Sequence, residues 1–363
     1  MKKYQLSLHP EACLDWTVNN ALRDCLQNFL DSPAAFVYSY ENEILELTST
    51  NTQLAPSVLL TGYSTKREDP NSLGRHGDGL KVLLLVLIRN GIDVEIKNGD
   101  VLWKPTFEFI KDFGQEMLVV HETPLLGNVD HTIVLKGIDE ATYEQMVEEC
   151  LYLQEDLGTV YEGATGRVLM NKVGKLFVGG LFVCDIPEHK VGYDFKPSAM
   201  KLDRDRKTVR SFDVQWETSR LLQSCNIPVD NVVSLIKSKS ADVNYVENHL
   251  SSKTTGAVYE DFKKEHGENA IVVDNLTAFR RYESHQKNVI LSNNLIYNSI
   301  LSEHKDYRNS VAAVDAEIEK EVEPEKSPLE LLEDWYESDA MEYSDEFEVL
   351  IDSFRERGIK WAN

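Results

Sequence analysis

Apolar runs long enough to cross a membrane are missing from this chain of 363 residues. The longest, Val82–Ile88, has seven residues, whereas a membrane-spanning helix needs about 20. Met1–Gln5 leads into no apolar stretch, so we expect no signal peptide. The five cysteines and nine histidines show no metal-ligand spacing. These absences favour a cytoplasmic protein with reduced thiols and no metal site built from cysteine or histidine.

Positive charge is also scarce. The formal net charge is −23, and the stretch from Asp315 to Asp352 has 16 acidic residues against only Lys320 and Lys326. A surface of this sign repels phosphates unless a local basic patch overrides it. Direct nucleic-acid binding is therefore disfavoured, and we expect a protein partner or self-association instead.

The first 136 residues contain helix and strand patterns in an order typical of an α/β sandwich, with helices on one face of a mixed sheet. The strongest short signal is Asn98-Gly99, which indicates a β-hairpin. Pro33 is expected to end the first helix. Apolar periodicity predicts helices over 12–31 and 80–90, and strands over 35–40, 44–48, 92–97, 101–104, 118–121 and 132–135.

The rest of the chain divides by composition into a second unit (137–226), an α/β extension (227–314) and an acidic tail (315–363). In the tail, the spacing of Leu329, Leu332 and Trp335 indicates an amphipathic helix that docks on its own chain or on a partner. The second unit and the extension are predicted to contain helices over 140–153 and 212–224, and strands over 167–170, 175–184, 270–273 and 289–291.

Three polar residues of the first helix share one face. Asp24, Asn28 and Asp31 are spaced by four and three residues, which returns them to the same side of a helix. Such a stripe is either a solvated face of an amphipathic helix or part of a binding site.

A glycine-bearing loop precedes the second helix. Gly74, Gly77 and Gly79 are followed by Lys81. Glycines let backbone amides approach phosphates, and the helix N-terminus that follows favours anions. The spacing is neither that of a Walker loop nor that of a Rossmann fingerprint. Ordinary turn glycines are the alternative.

Together the two motifs resemble the N-box and second glycine box of the GHKL superfamily, the Bergerat-fold ATP-binding proteins that include gyrase B, MutL, a heat-shock chaperone and histidine kinases. The resemblance covers about residues 12–136, and it implies a transducer-like α/β domain after them. It implies that Asn28 coordinates Mg²⁺ and that Asp24 positions the attacking water. The implied nucleotide contacts are Asp31, Gly62, Ser64, Thr65, Lys66, Gly74, Gly77, Gly79 and Lys81.

The chain departs from the family pattern at two positions. The first glycine box, Asp-x-Gly-x-Gly, is missing, and Ser49 is the residue that replaces its adenine-reading aspartate. A serine hydroxyl can still accept a hydrogen bond from the base, but without charge. Asp24 is one methylene shorter than the glutamate usual in hydrolytic members, and a displacement of about 1 Å can slow a reaction about 100-fold. We therefore expect slow hydrolysis, or binding without turnover.

A basic loop contains Lys201, Arg204 and Arg206. Its position matches that from which a transducer domain sends a basic residue to the γ-phosphate, so all three are candidates for that role. The alternative is surface salt bridges with neighbouring aspartates.

The predicted function is ATP and Mg²⁺ binding with slow hydrolysis, used to switch conformation or dimerisation. The alternative is a non-hydrolysing GHKL-like scaffold whose acidic surface binds a protein partner.

Overall fold

The computed structural model describes residues 2–32, 34–60, 78–200, 211–245 and 252–321, together with residue 352. The chain forms two compact units, Met1–Val258 and Tyr259–Asn363. None of the helices in the described residues is long and apolar enough to cross a membrane.

A seven-stranded sheet forms the centre of the first unit, with the strand order β1-β6-β5-β4-β7-β3-β2. The expected mixed sheet is wrong for this layer, because every neighbouring pair in it is antiparallel. Short turns join β2 to β3, β4 to β5 and β5 to β6, and such turns connect only antiparallel neighbours. The strands are β1 Lys2–Gln5, β2 Phe36–Glu41, β3 Ile44–Ser49, β4 Asp93–Asn98, β5 Val101–Ile110, β6 Gln115–Pro124 and β7 His131–Lys136.

Helix α1 spans Val18–Leu30 and begins six residues later than predicted. Thr17 and Asn20 form a capping box, in which the backbone N–H of each residue donates to the side chain of the other, at 3.0 and 3.3 Å. Cys13 has a positive φ of 52°, which a helix does not accommodate. Residues 12–16 therefore lie outside the helix, and Pro33 lies outside the described residues.

Helix α2 spans Gly79–Arg89, in agreement with the prediction, and packs against α1. Its central residues, Leu83–Leu87, are fully buried between α1 and the inner face of the sheet. The guanidinium of Arg89 donates to four carbonyl groups of the segment before α1, those of Pro10, Ala12, Cys13 and Trp16. The predicted α/β sandwich is confirmed, with these helices on one face of the sheet.

Helix α3, Glu140–Glu148, is shorter than the predicted helix over 140–153, because Cys150 leaves the helix to bridge to Leu181. The strand predicted over 175–184 is a hairpin, since Gly179 and Gly180 both have positive φ and reverse the chain. The second sheet has the order β11-β10-β12-β9-β8 and is mixed, with β10 parallel to β12. Its strands are β8 Val160–Glu162, β9 Gly166–Leu169, β10 Lys175–Val178, β11 Leu181–Asp185 and β12 Gly192–Phe195.

A buried aspartate, Asp242, joins the second sheet to the segment that follows helix α5 (Val229–Lys237). The Asp242 carboxylate accepts hydrogen bonds from the Tyr193 hydroxyl at 2.5 Å, from the Lys190 backbone at 2.7 Å and from the Ser240 hydroxyl. Three donors stabilise a charge that is fully removed from solvent. The helices of this part are α4 Ser211–Ser224 and α5 Val229–Lys237, and α6 Ser252–His266 follows them in the chain.

The second unit has its own small core, formed by Ile271, Tyr282 and Ile318. Two short parallel strands lie among its helices and match the predicted positions within one residue. These elements are β13 Ile271–Val273, α7 Leu276–Ser284, β14 Val289–Leu291, α8 Leu295–Glu303 and α9 Lys305–Glu321.

Candidate functional site

Six of the predicted site residues lie in the part of the chain that the structure describes: Asp24, Asn28, Asp31, Ser49, Gly79 and Lys81. The others lie outside it, and their roles stay predictions: Gly62, Ser64, Thr65, Lys66, Gly74, Gly77, Lys201, Arg204 and Arg206.

Asp24 and Gly79 are in contact, although they lie on different helices. The Asp24 side chain is 6% exposed, and a Cβ atom built on Gly79 would lie 2.9 Å from its Oδ2 atom. Any larger residue at position 79 would have to displace the carboxylate. The packing of α1 on α2 therefore brings the polar stripe of one helix to the glycine segment of the other.

The contact lies at the N-terminus of α2. A helix leaves its first N–H groups without partners inside the helix, and the Asp78 side chain at the N-cap makes no capping hydrogen bond. The positive end of the helix dipole lies here as well. The Asp24 carboxylate therefore lies beside the positive end of α2.

Asn28 and Asp31 continue along the same helix. Asn28 is half-buried and lies one turn beyond Asp24, and its side chain makes no hydrogen bond within the described residues. Asp31 is the C-cap of α1 and donates its backbone N–H to the carbonyl of Gln27. It lies about 10 Å along the helix from Asp24, so Asp24 and Asn28 form the nearer pair.

A buried polar row crosses the sheet at the ends of three strands. Ser49 pairs with His131 between β3 and β7, and His131 pairs with Asn98 between β7 and β4. Residues directly opposite in antiparallel strands point to the same face. Ser49 is 1% exposed and His131 6%. The Ser49 hydroxyl and the His131 Nδ1 atom have no hydrogen-bond partner within the described residues.

His131 is absent from the residues that the sequence motifs single out. Its ring stacks on Phe29 of α1, with ring centroids 5.5 Å apart. Burial lowers the pKa of His131 from 6.5 to about 4, so the imidazole is neutral near neutral pH. The available sequence signal was its place directly before the apolar strand 132–135, which by itself indicates only a strand end.

The loop after β3 is held by side chains instead of the family's glycines. Asn51, at the position of the first missing glycine, has a positive φ of 49°, a conformation that asparagine tolerates better than most residues. Its backbone N–H donates to Asp130 Oδ1 at 2.9 Å. The Asn98 side chain donates to and accepts from the backbone of Leu54, at 2.9 and 2.7 Å. A left-handed backbone conformation at position 51 is thus reached without glycine.

Lys81 is 2% exposed and does not point into solvent. Its Nζ atom donates to the carbonyl of Leu60 at 2.7 Å and lies 3.8 Å from Asp78 Oδ1. Burial lowers the pKa of Lys81, and the neighbouring Asp78 opposes this shift. Its ammonium group links the start of α2 to Leu60, which uses one of its three N–H donors.

The described residues contain no group of three or more histidine, cysteine, aspartate or glutamate side chains that could hold a metal ion by themselves. Mg²⁺ commonly binds through one or two protein groups and completes its shell with phosphates and water. The Asn28 amide, whose oxygen is engaged by no described residue, fits such a single protein ligand.

No family model matches the chain. A curated relative, an uncharacterized protein of Mycoplasma pneumoniae, is 21% identical over 243 residues, which are 62% of this chain and 92% of the relative. The ATPase region of Saccharomyces cerevisiae topoisomerase II is similar over 61% of this chain and 84% of that chain, with 11% identity and a TM-score of 0.36. A likeness at this level carries no argument about family or activity, so function is inferred from the site itself.

Proposed function

We propose that the chain binds ATP with Mg²⁺ in its first unit, between α1, the paired ends of β3 and β7, and the N-terminus of α2. The observation that carries this proposal is the contact between Asp24 and Gly79. It joins two motifs that are 55 residues apart in the sequence and brings a carboxylate to a helix N-terminus, the kind of helix end that favours phosphates.

Each side chain then has a defined task. Asn28 binds Mg²⁺, and Asp24 orients the water that attacks the γ-phosphate. The Ser49 hydroxyl gains, from the base, the hydrogen bond that it lacks within the described residues. A buried polar atom without a partner costs about 1–3 kcal/mol, so a ligand that supplies one gains affinity. Further contacts are assigned to Asp31, Gly62, Ser64, Thr65, Lys66, Gly74, Gly77, Gly79 and Lys81.

We assign the function of a slow ATPase that uses nucleotide binding to switch conformation or dimerisation. The short reach of Asp24 makes water activation inefficient. Lys201, Arg204 and Arg206 are assigned to sensing the γ-phosphate, and residues 137–226 to a transducer-like domain that carries them.

A non-hydrolysing scaffold is the second candidate, and one observation favours it. The ammonium group of Lys81, a predicted phosphate ligand, is bound to Leu60 and lies near Asp78. If the glycine segment serves only the fold, the acidic surface remains as the functional surface and binds a protein partner.

A thermal-shift titration with ATP and Mg²⁺ tests the proposal. A ligand at 100 times its dissociation constant stabilises a protein by about 2.7 kcal/mol, so the melting temperature should rise. Asn28→Ala and Gly77→Ala should abolish the rise. Asn231→Ala is the matched control, because it removes a half-buried helical asparagine from α5 in the same unit. An unchanged melting temperature at saturating ATP would leave the scaffold as the better account.

A further inference from the structure

Within the part of the chain that the structure describes, one edge of the seven-stranded sheet has no protection against strand addition. Among the described residues, β2 pairs only with β3, and its other side is the end of the sheet. The register runs without a bulge from Phe36 opposite Ser49 to Glu41 opposite Ile44. Exposed edges are usually blunted by lysine, proline or a bulge, because their unpaired backbone groups accept another strand. The sequence Phe-Val-Tyr-Ser-Tyr-Glu has neither lysine nor proline, and Val37 is 65% exposed.

Five acidic residues lie around one end of this edge strand, and we call them the acidic cluster: Glu41, Glu43, Asp139, Glu140 and Glu144. All five are exposed, and none forms a salt bridge within the described residues. Their field reaches the strand itself. Burial raises the pKa of the Tyr40 phenol, and Glu140 and Glu43 raise it further. The end of β2 near Tyr40 is therefore strongly negative.

Aromatic rings make this end of the edge rigid. Tyr40 stacks on Tyr143 of α3, with centroids 3.9 Å apart and planes 8° from parallel. The Tyr40 hydroxyl donates to the carbonyl of Ile138 at 2.9 Å, and that of Tyr38 donates to Leu153 at 3.3 Å. A strand that is held in place by its own side chains loses little freedom when another strand pairs with it. Ring faces beside carboxylates also favour cations.

We infer that the free edge of β2 is a docking site for an extended segment of a partner protein rich in lysine or arginine, which adds to the sheet as an eighth strand. The backbone of β2 supplies the hydrogen bonds, and the acidic cluster selects the basic side chains. The six residues of β2 offer a strand about 20 Å long. The acidic cluster lies at its Glu41 end, so the basic side chains of the partner should be concentrated at that end.

Charge decides between the possible occupants. A second copy of the chain brings a net charge of −23 and the same acidic cluster, so self-pairing at this edge is opposed. Nucleic acid is opposed by the same charges. A basic peptide is attracted by them.

Fluorescence anisotropy with a labelled peptide of alternating lysine and valine, about ten residues long, tests this inference on the full chain. Binding should weaken at least about tenfold when Glu140→Lys and Glu144→Lys are combined. The control pair, Asp112→Lys with Glu116→Lys, changes the net charge equally at exposed positions where β5 turns into β6, on the far side of the sheet from β2, and should retain the wild-type affinity. The same peptide with alternate backbone nitrogens methylated keeps its charge but cannot pair fully as a strand, and it should bind at least about tenfold more weakly.

Other outcomes overturn the inference. Equal binding of the methylated peptide would mean attraction by charge alone. Equal weakening by both variant pairs would place the peptide elsewhere, and no binding to the wild-type protein would remove the site. A dimer that forms without peptide and is lost in Val37→Lys would make a second copy the occupant. None of these outcomes depends on nucleotide binding, so the ATP proposal is tested separately.

Discussion

Acidification should destabilise the first unit through His131. The folded protein holds the pKa of this imidazole at about 4, against 6.5 for an ordinary histidine, because the ring is buried against Phe29. Above about pH 6.5 the ring is neutral in both states and contributes no pH dependence. Between 6.5 and 4 the unfolded chain binds a proton that the folded chain does not, so stability falls as the pH falls.

The size of this effect follows from the shift. A difference of about 2.5 pKa units corresponds to about 3.4 kcal/mol at full loss, of which about 2 kcal/mol is lost by pH 5. Urea unfolding at pH values from about 7.5 to about 4.5 should show this loss, with fluorescence of the fully buried Trp103 as a reporter in the same sheet.

Replacement of the ring isolates the contribution of His131. His131→Phe keeps an aromatic ring against Phe29 but removes the titrating nitrogens, so the difference in unfolding free energy between wild type and variant should change by about 2 kcal/mol between pH 7 and pH 5. Thr132→Val changes the neighbouring buried residue of β7 without altering a titrating group and should keep the wild-type slope. Parallel pH profiles for wild type and His131→Phe would refute the reasoning.

Three further substitutions have definite expected outcomes. Gly79→Ala places a Cβ 2.9 Å from Asp24 Oδ2 and should lower the unfolding free energy by about 1–3 kcal/mol. Adding Asp24→Ala should restore part of this loss. If urea unfolding shows that the two losses add, the contact is contradicted. Lys81→Met leaves the Leu60 carbonyl without its donor and should lower the free energy of unfolding by about 1–2 kcal/mol. If this variant keeps the thermal shift with ATP, Lys81 is excluded as a phosphate ligand. Asn98→Ala removes the two hydrogen bonds that hold the loop after β3 and should lower the free energy of unfolding by about 1–3 kcal/mol. The loop should then be cleaved faster by a protease. An unchanged rate of cleavage would show that these hydrogen bonds do not hold the loop.

The elements that could be predicted are those with local signals. The β2–β3 hairpin follows from its strand patterns and turn, where Asn42 and Glu43 take positive φ. Helix α2 follows from its apolar run, which is long for a strand and bounded by glycines. The start of α1 was misplaced because Ala12, Cys13 and Trp16 have apolar character, whereas the capping box at Thr17 decides the boundary.

Sheet order depends on contacts between distant residues, which periodicity does not encode. Nothing local indicates that β7 lies between β4 and β3, yet this placement pairs His131 with both Ser49 and Asn98. The polar row could therefore not be predicted, although Ser49 itself was identified from the family resemblance, as the residue in place of the adenine-reading aspartate. The stripe on α1 and the glycines before α2 could be recognised, because helical spacing and glycine chemistry are local. The contact between Asp24 and Gly79 could not be predicted, because it depends on how α1 packs against α2 in the folded chain.

Helix α2 is one stiff element that contacts Asp24 at its N-terminal end and the segment before α1 at its C-terminal end. It is about 16 Å long, with Gly79 against Asp24 at one end and Arg89 bound to four carbonyls at the other. Because Leu83–Leu87 are buried in the core, the middle of the helix fixes the distance between these two contacts. The position of the segment before α1 is thus set by the C-terminal end of the same helix whose N-terminal end contacts Asp24.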